Sequence, residues 1–218
     1  MKPTTAEENY IKAIFHLTKN EKEAANTNAI AAELQTAAAT VTDMLKKLAD
    51  KKLIKYERYK GVTLSKSGLQ LAGKIVRKHR MWETLLVEKL NFKWDEVHEI
   101  AEQLEHIQSD ELINRIDKFL GFPKNDPHGD PIPDEDGNFP PTRSQPLNAA
   151  STNDLHTVVS VGDQSVSFLQ MLNKLKIQIG SKIKIVERHD FDGSIQVKIN
   201  NVNFLNISEQ VAKNLIVK

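Results

Sequence analysis

Residues 40–65 read TVTDMLKKLADKKLIKYERYKGVTLS, and the change of period halfway along this stretch decides the fold. Val41, Met44, Leu45 and Leu48 recur at i, i+3, i+4 and i+7, the stripe of an amphipathic helix. From Leu53 onward apolar and polar residues alternate on both sides of Tyr59-Lys60-Gly61, which is the period of a β-hairpin. Upstream, Thr27 opens TNAIAAELQ, where Ile30, Ala31 and Leu34 form one apolar face before a short break at Thr36–Ala38. Two short helices, a tight turn and then a basic hairpin are the order of a winged helix-turn-helix. The second predicted helix exposes Thr40, Thr42, Asp43, Lys46 and Lys47. In a DNA reader Thr40, Thr42 and Asp43 would face base edges, although phosphate repels Asp. Lys46 and Lys47, with Arg58, Tyr59 and Lys60 of the hairpin, would mainly meet phosphates. The competing reading is a small helical domain with a solvated basic face.

Charge is distributed in keeping with a polyanion partner at this end. The 218 residues carry a net charge of +1. Residues 1–80 nevertheless hold 16 Lys/Arg against 8 Asp/Glu, and residues 81–140 hold 5 against 15. The basic third suits nucleic acid, and the acidic third suits bound cations or plain solvation. There are no cysteines, which removes disulfides and thiolate metal sites and fits a reducing cytoplasm. Neither a basic-then-apolar leader nor a long apolar run is present, so the expectation is a soluble, cytoplasmic chain with no membrane partner.

Around the winged helix, residues 5–18 predict a first helix, with Tyr10, Ile11, Ile14, Phe15 and Leu17 at helical spacing. A long helix starts at Ser65 or Ser67, another covers 94–108, and a third is capped at Ser109. These three carry enough apolar surface for a dimer interface. Residues 122–148, rich in Pro, Gly, Asp and Asn, predict an ordered loop followed by a linker. From about Asn153 short alternating strands predict a small barrel. The fold class is therefore mainly α with small β parts. The expected domains are a winged helix over 1–72, a helical dimerisation and metal-binding domain over 73–140, a linker over 141–152 and an SH3-like barrel over 153–218.

The acidic third contains VHEIAEQLEHIQSDE at 97–111. On a helical wheel with His98 at zero, Glu102 falls at about 40°, Glu105 at about 340° and His106 at about 80°. The apolar residues fall on the opposite side. A solvated face looks the same, but His79 and Glu83 on the preceding helix are also spaced i, i+4 and share a face. Imidazoles and carboxylates from two neighbouring helices suit a borderline divalent ion, Mn2+ or Fe2+ more than structural Zn2+.

Five segments, ENYIKAIFHL, TVTDMLKKLADKKLI, RKHRMWETLL, VHEIAEQLEHIQSDEL and HGDPIP, together resemble the DtxR/MntR family of metal-dependent transcriptional repressors over nearly the whole chain. The resemblance implies a winged-helix DNA reader, a helical dimerisation domain holding the metal, and a C-terminal SH3-like domain of the FeoA kind. It implies a primary metal site at Asn9, Glu102, Glu105 and His106. It implies an ancillary site at His79, Glu83 and His98, which some members complete from positions matching Asp126, His128, Asp163, Gln164 and Ser167. Asn9 stands where members carry Asp or Met, so the adjacent Glu8 is a rival ligand. Glu102 stands where the iron-responsive branch has Cys, and a hard carboxylate favours Mn2+, with Fe2+ still possible. Lys12 matches a position that is acidic in some manganese members, so their paired two-ion site is not expected here.

The expected function is a homodimeric, metal-activated repressor of metal-uptake genes acting on a palindromic double-stranded operator, with no small-molecule substrate and no enzymatic role. Two alternatives stand beside it. One is a metal-dependent hydrolase using the His/Glu cluster, although no HExxH pattern or nucleophile elbow appears. The other is a winged-helix regulator responding to a small organic ligand. His16, His156 and His189 receive no role, Trp82 and Trp94 read as core, and Asp134, Glu135 and Asp136 read as a solvated run.

Overall fold

The computed structural model describes residues 3–18, 24–57, 60–200 and 202–218. The chain forms two compact units, one of Met1–Trp82, Glu102–Arg115 and Ile132–Pro140, the other of Glu83–Ala101, Ile116–Pro131 and Pro141–Lys218.

The first unit begins with α1 (Thr5–Leu17), opened by a reciprocal cap in which Thr4 accepts from Glu7 N and the Glu7 carboxylate accepts from Thr4 N. The Asn26 side chain caps α2 (Thr27–Glu33), and α3 (Ala38–Asp50) follows after a short turn. The wing is β1 (Ile54–Glu57) paired antiparallel with β2 (Gly61–Leu64), with Ile54 opposite Leu64. Ile11, Ile14, Ile30, Val41, Leu45 and Leu48 are fully buried in one core with Ile54, Val62 and Leu64. Each such side chain contributes ~1.5–3 kcal/mol on burial, so helices and wing stand or fall together. The predicted winged helix-turn-helix is thus the architecture observed, and Arg58 and Tyr59 lie outside the described residues.

The Ser65 hydroxyl accepts from Gly68 N and starts α4 (Lys66–Leu90). Asp134, Glu135 and Asp136, read as a solvated run, are exposed, and Asp134 also forms an Asx turn. Asp134 Oδ1 accepts from Asp136 N at 3.0 Å and from Asn138 N at 2.8 Å. Arg77 donates to Pro133 O, and Phe139 stacks on Phe15, so this loop is fastened to α4 and α1. It comes so near that a β-carbon on Gly73 would lie 1.9 Å from Gly137 O.

Two further helices, α5 (His98–Leu104) and α6 (Asp110–Phe119), contribute residues to both units. Helix α5 is shorter than the 94–108 expectation. Lys93 and Glu96 close a turn before it, and Glu105 and His106 lie in the turn after it. Ser109 then caps α6 through Leu112 N.

The second unit is dominated by a six-stranded sheet and two short helices. Its strands are β3 (Gln145–Pro146), β4 (Leu155–Val161), β5 (Lys182–Arg188), β6 (Ile195–Ile199), β7 (Asn203–Ile207) and β8 (Leu215–Val217). Their order is β3-β8-β4-β5-β6-β7, with every pair antiparallel. Helices α7 (Val166–Leu175) and α8 (Glu209–Asn214) are capped by Ser165 and Ser208. The stretch read as a linker contains β3 and a 3-10 turn whose Leu147 is fully buried in this core.

Candidate metal centre

Within each unit a group of nitrogen and oxygen donors forms. The first is built on α1. Glu8 and Lys12 are one turn apart and point the same way, about 40° apart on the helix, and both are buried. Lys12 Nζ lies 2.5 Å from Glu102 Oε1, 2.6 Å from Glu105 Oε2 and 3.3 Å from His79 Nδ1. His79 Nδ1 is also 2.7 Å from Glu105 Oε2. The Glu105 side chain is wholly buried, whereas that of Glu102 is 39% exposed, so the cluster has one open side. Burial alone would raise the Glu105 pKa. The hydrogen bond from His79 and the charges of Lys12 and His79 outweigh it and hold the carboxyl below its ordinary value. Beside this cluster, Glu8 Oε2 is 2.8 Å from His106 Nδ1, and Glu8 Oε1 accepts from Gln108 at 2.7 Å.

The expected primary set is therefore divided. Glu102 and Glu105 gather around Lys12 with His79, a residue assigned by resemblance to the ancillary site. His106 turns to Glu8. Asn9 lies about 100° round the helix from Glu8 and makes no hydrogen bond to these groups among the described residues. Lys12 is the participant that sequence reasoning passed over as a ligand-shell residue.

The second group is centred on His128. Its Nε2–H donates to Trp94 O at 2.8 Å, and the Trp94 ring stacks on the imidazole. With Nε2 protonated, the neutral ring leaves its lone pair on Nδ1. That atom is buried, has no hydrogen-bond partner, and lies 3.4 Å from Glu83 Oε2. Burial opposes charging the ring, but the carboxylates of Glu83 and Asp126 outweigh it and raise the His128 pKa. His98 Nδ1 stands 3.7 Å from the other Glu83 oxygen. Asp126 shapes the loop, with its Oδ1 accepting from His128 N at 2.9 Å and Asp130 N at 3.0 Å. Gly129, at φ +87°, brings the loop against β4, where a β-carbon would sit 1.9 Å from Val159 O. Asp163 Oδ1 accepts from Ser165 N, Gln164 donates to Asp130, and Ser167 faces Ser165. None of these three has a described hydrogen bond to the Glu83 group.

Both groups fit a divalent ion. One donor atom from each of His79, Glu102 and Glu105 lies within 4.8 Å of the others, and the same holds for Glu83, Asp126 and His128. Each group also retains a buried polar atom without a hydrogen-bond partner, Glu105 Oε1 in one and His128 Nδ1 in the other. The donors are hard or borderline, which suits Mn2+ and Fe2+.

On the winged helix, Thr40, Asp43, Lys46, Lys47 and Lys60 are exposed and Thr42 is half-buried. Lys46 pairs with Asp43 at 3.1 Å, and Thr42 donates to Ala38 O.

A winged helix, nitrogen–oxygen donor clusters and a six-stranded antiparallel sheet in one chain define a metal-responsive DNA-binding regulator. The comparisons with known proteins specify which kind. Residues 2–62 match the N-terminal DNA binding domain of the iron dependent repressors, residues 65–134 their metal binding and dimerisation domain, and residues 145–218 the FeoA domain. The chain belongs to the DtxR/MntR family of metal-dependent transcriptional repressors. It is similar to a solved manganese-dependent transcriptional repressor in complex with manganese, at 34% identity and TM-score 0.87, covering 97% of this chain and 98% of that one. It is 32% identical to the iron-dependent repressor IdeR of Mycobacterium tuberculosis over 126 residues, 58% of this chain and 54% of that protein. It is 45% identical to a probable metal transport system membrane protein of Chlamydia trachomatis over 71 residues, 33% of this chain. The match spans about half of the mycobacterial relative and only 16% of the chlamydial one. Among the described residues, no helix is long and apolar enough to cross a membrane.

Proposed function

We propose that this chain is a cytoplasmic, homodimeric repressor of metal-homeostasis genes whose affinity for double-stranded operator DNA depends on Mn2+. The observation that carries the reading is the buried Nδ1 of His128, 3.4 Å from the Glu83 carboxylate. A histidine whose other nitrogen is fixed by a backbone carbonyl is how proteins orient a metal-binding imidazole. Glu83, Asp126 and His128, with His98 and Asp163 able to complete the set, hold one ion. Glu102, Glu105 and His106 hold another. Glu8 is the α1 donor of this second set in preference to Asn9, because it already reaches His106. The family consists of DNA-binding repressors, which sets the hydrolase reading aside.

Bound at either cluster, the ion would supply positive charge to the gathered carboxylates. The remaining work belongs to the protein. Glu8 and Lys12 lie on the helix whose other side packs Ile11, Ile14 and Phe15 into the winged-helix core. Fixing that helix against the Glu102–His106 segment therefore fixes α3. Thr40, Thr42 and Asp43 then face base edges, and Lys46, Lys47 and Lys60, with Arg58 and Tyr59, meet phosphates. In a dimer on a palindromic operator half-site spacing is unforgiving, so restricting α3 raises affinity, by about 1–3 kcal/mol for typical couplings. A gel-shift titration on duplexes selected from random sequence, with chelator, Mn2+, Fe2+ or Zn2+, tests this. Tighter binding with Mn2+ than with chelator is expected. Equal affinity in both would end the proposal, and preference for Fe2+ would reassign the metal.

A further inference from the structure

Lys12 is a charged residue that folding places on the buried side of α1. A buried ammonium needs anionic company, and Lys12 has two carboxylates and an imidazole nitrogen within 3.3 Å. Those three partners are the same donors whose mutual spacing suits a small cation. The ammonium thus stands where the ligand shell of an ion would converge.

We infer that Lys12 is a tethered cation that competes with the divalent ion for Glu102 and Glu105, and so sets the metal concentration at which this cluster responds. The inference rests on the reading that Glu102 and Glu105 take an ion. Two positive charges sharing the same pair of carboxylates repel one another, so the ion enters only as the ammonium leaves. Lysine is suited to leaving, because its charge sits at the end of a flexible four-carbon stem. The half-open Glu102 side provides the route. Without metal, the same contact ties α1 to the Glu102–Glu105 segment and keeps the carboxylates from repelling each other. A second consequence follows. The described contacts of the Lys12 ammonium all lie in the Glu102–Glu105 cluster, so removing Lys12 is expected to change one metal-binding step and leave the other alone.

The test uses the full chain and Mn2+ in calorimetric titrations of wild type, Lys12→Met, Lys12→Gln, Lys12→Arg and Glu105→Gln. Both neutral variants are expected to bind Mn2+ in one step at least about tenfold more tightly, with the other step unchanged and a lower melting temperature in chelator. Lys12→Arg keeps the charge and is expected to stay near wild type. Unchanged or weaker Mn2+ binding in both neutral variants would overturn the inference. Glu105→Gln separates this from the reading beneath it. If that variant keeps every Mn2+ step, the cluster is not a metal site. If it loses a step while the Lys12 variants match wild type, only the tethered-cation idea fails. Wild type gives a readout without substitution: amine acetylation of Lys12, followed by mass spectrometry, is expected to quicken when Mn2+ is added. Equal or slower labelling would contradict displacement.

Discussion

Around Glu105 a buried carboxylate meets an ammonium; around Glu83 a buried carboxylate meets an imidazole. The donor types are the same, but the two arrangements respond to different things. The Lys12 ammonium is tethered to α1 and bonded to both carboxylates, so this cluster holds itself together without metal. An imidazole is a charge only while protonated, and otherwise a lone pair. The His128 cluster therefore depends on what occupies Nδ1, a proton or an ion. On the proposed reading, the first is a strut that metal must compete with, and the second a receptor that metal completes.

The difference can be broken most forcefully at Glu105. Glu105→Ala leaves Lys12 and His79 buried without their shared carboxylate and is expected to lower unfolding stability by about 3–5 kcal/mol in urea titrations made in chelator. A loss below about 1 kcal/mol would show that the strut is not structural. His128→Ala is expected to act on metal instead, weakening one Mn2+ step by about 10–100-fold in calorimetry while chelated stability falls much less. Gly129→Ala should reach the same step indirectly, since the added carbon collides with Val159 O and shifts the loop that carries His128.

Acidity sharpens the contrast further. His128 is raised above its ordinary 6.5, so its charged form stabilises the metal-free fold. That stability is fully present below about pH 6.5 and is lost as pH rises through the folded value. Since the ion needs Nδ1 deprotonated, Mn2+ affinity at this cluster should climb across the same window, by up to about tenfold per pH unit, and the climb should vanish in His128→Ala. Glu105 runs the other way. It is lowered from 4.5, so its contribution is present above that value and is lost as pH falls through the folded one. Denaturation monitored from about pH 2 to 8 in chelator checks both signs. The smallest effect is on DNA: Lys47→Ala should reduce the salt slope of DNA binding by about one, with Mn2+ binding unchanged.

Much of the fold was legible because its signals are local. The period change at Leu53, the Ser65 and Ser109 caps and the alternation after Asn153 each depend on neighbours in sequence. The site was only half legible. Spacing placed Glu102, Glu105 and His106 on one helix face, but Leu104 ends that helix, and the turn beyond it sends Glu105 to His79 and His106 to Glu8. Which of Glu8 and Asn9 points inward depends on how α1 rolls on its core, a tertiary choice made by Ile11 and Ile14. Lys12 was hidden for the same reason, since nothing in a lysine's neighbours announces that it will be buried. Leu147 was misjudged because Pro and Asn around it signal a loop, while its burial depends on the β3–β8 pairing some 70 residues away.

Anomalous scattering from a crystal grown with Mn2+ reads both clusters at once. One peak is expected bounded by Glu83, Asp126 and His128, with Nδ1 of His128 as a ligand, and a second at Glu102 and Glu105 with Lys12 withdrawn. A map with no manganese signal at His128, and Lys12 still seated between the two glutamates, would contradict metal binding at these residues.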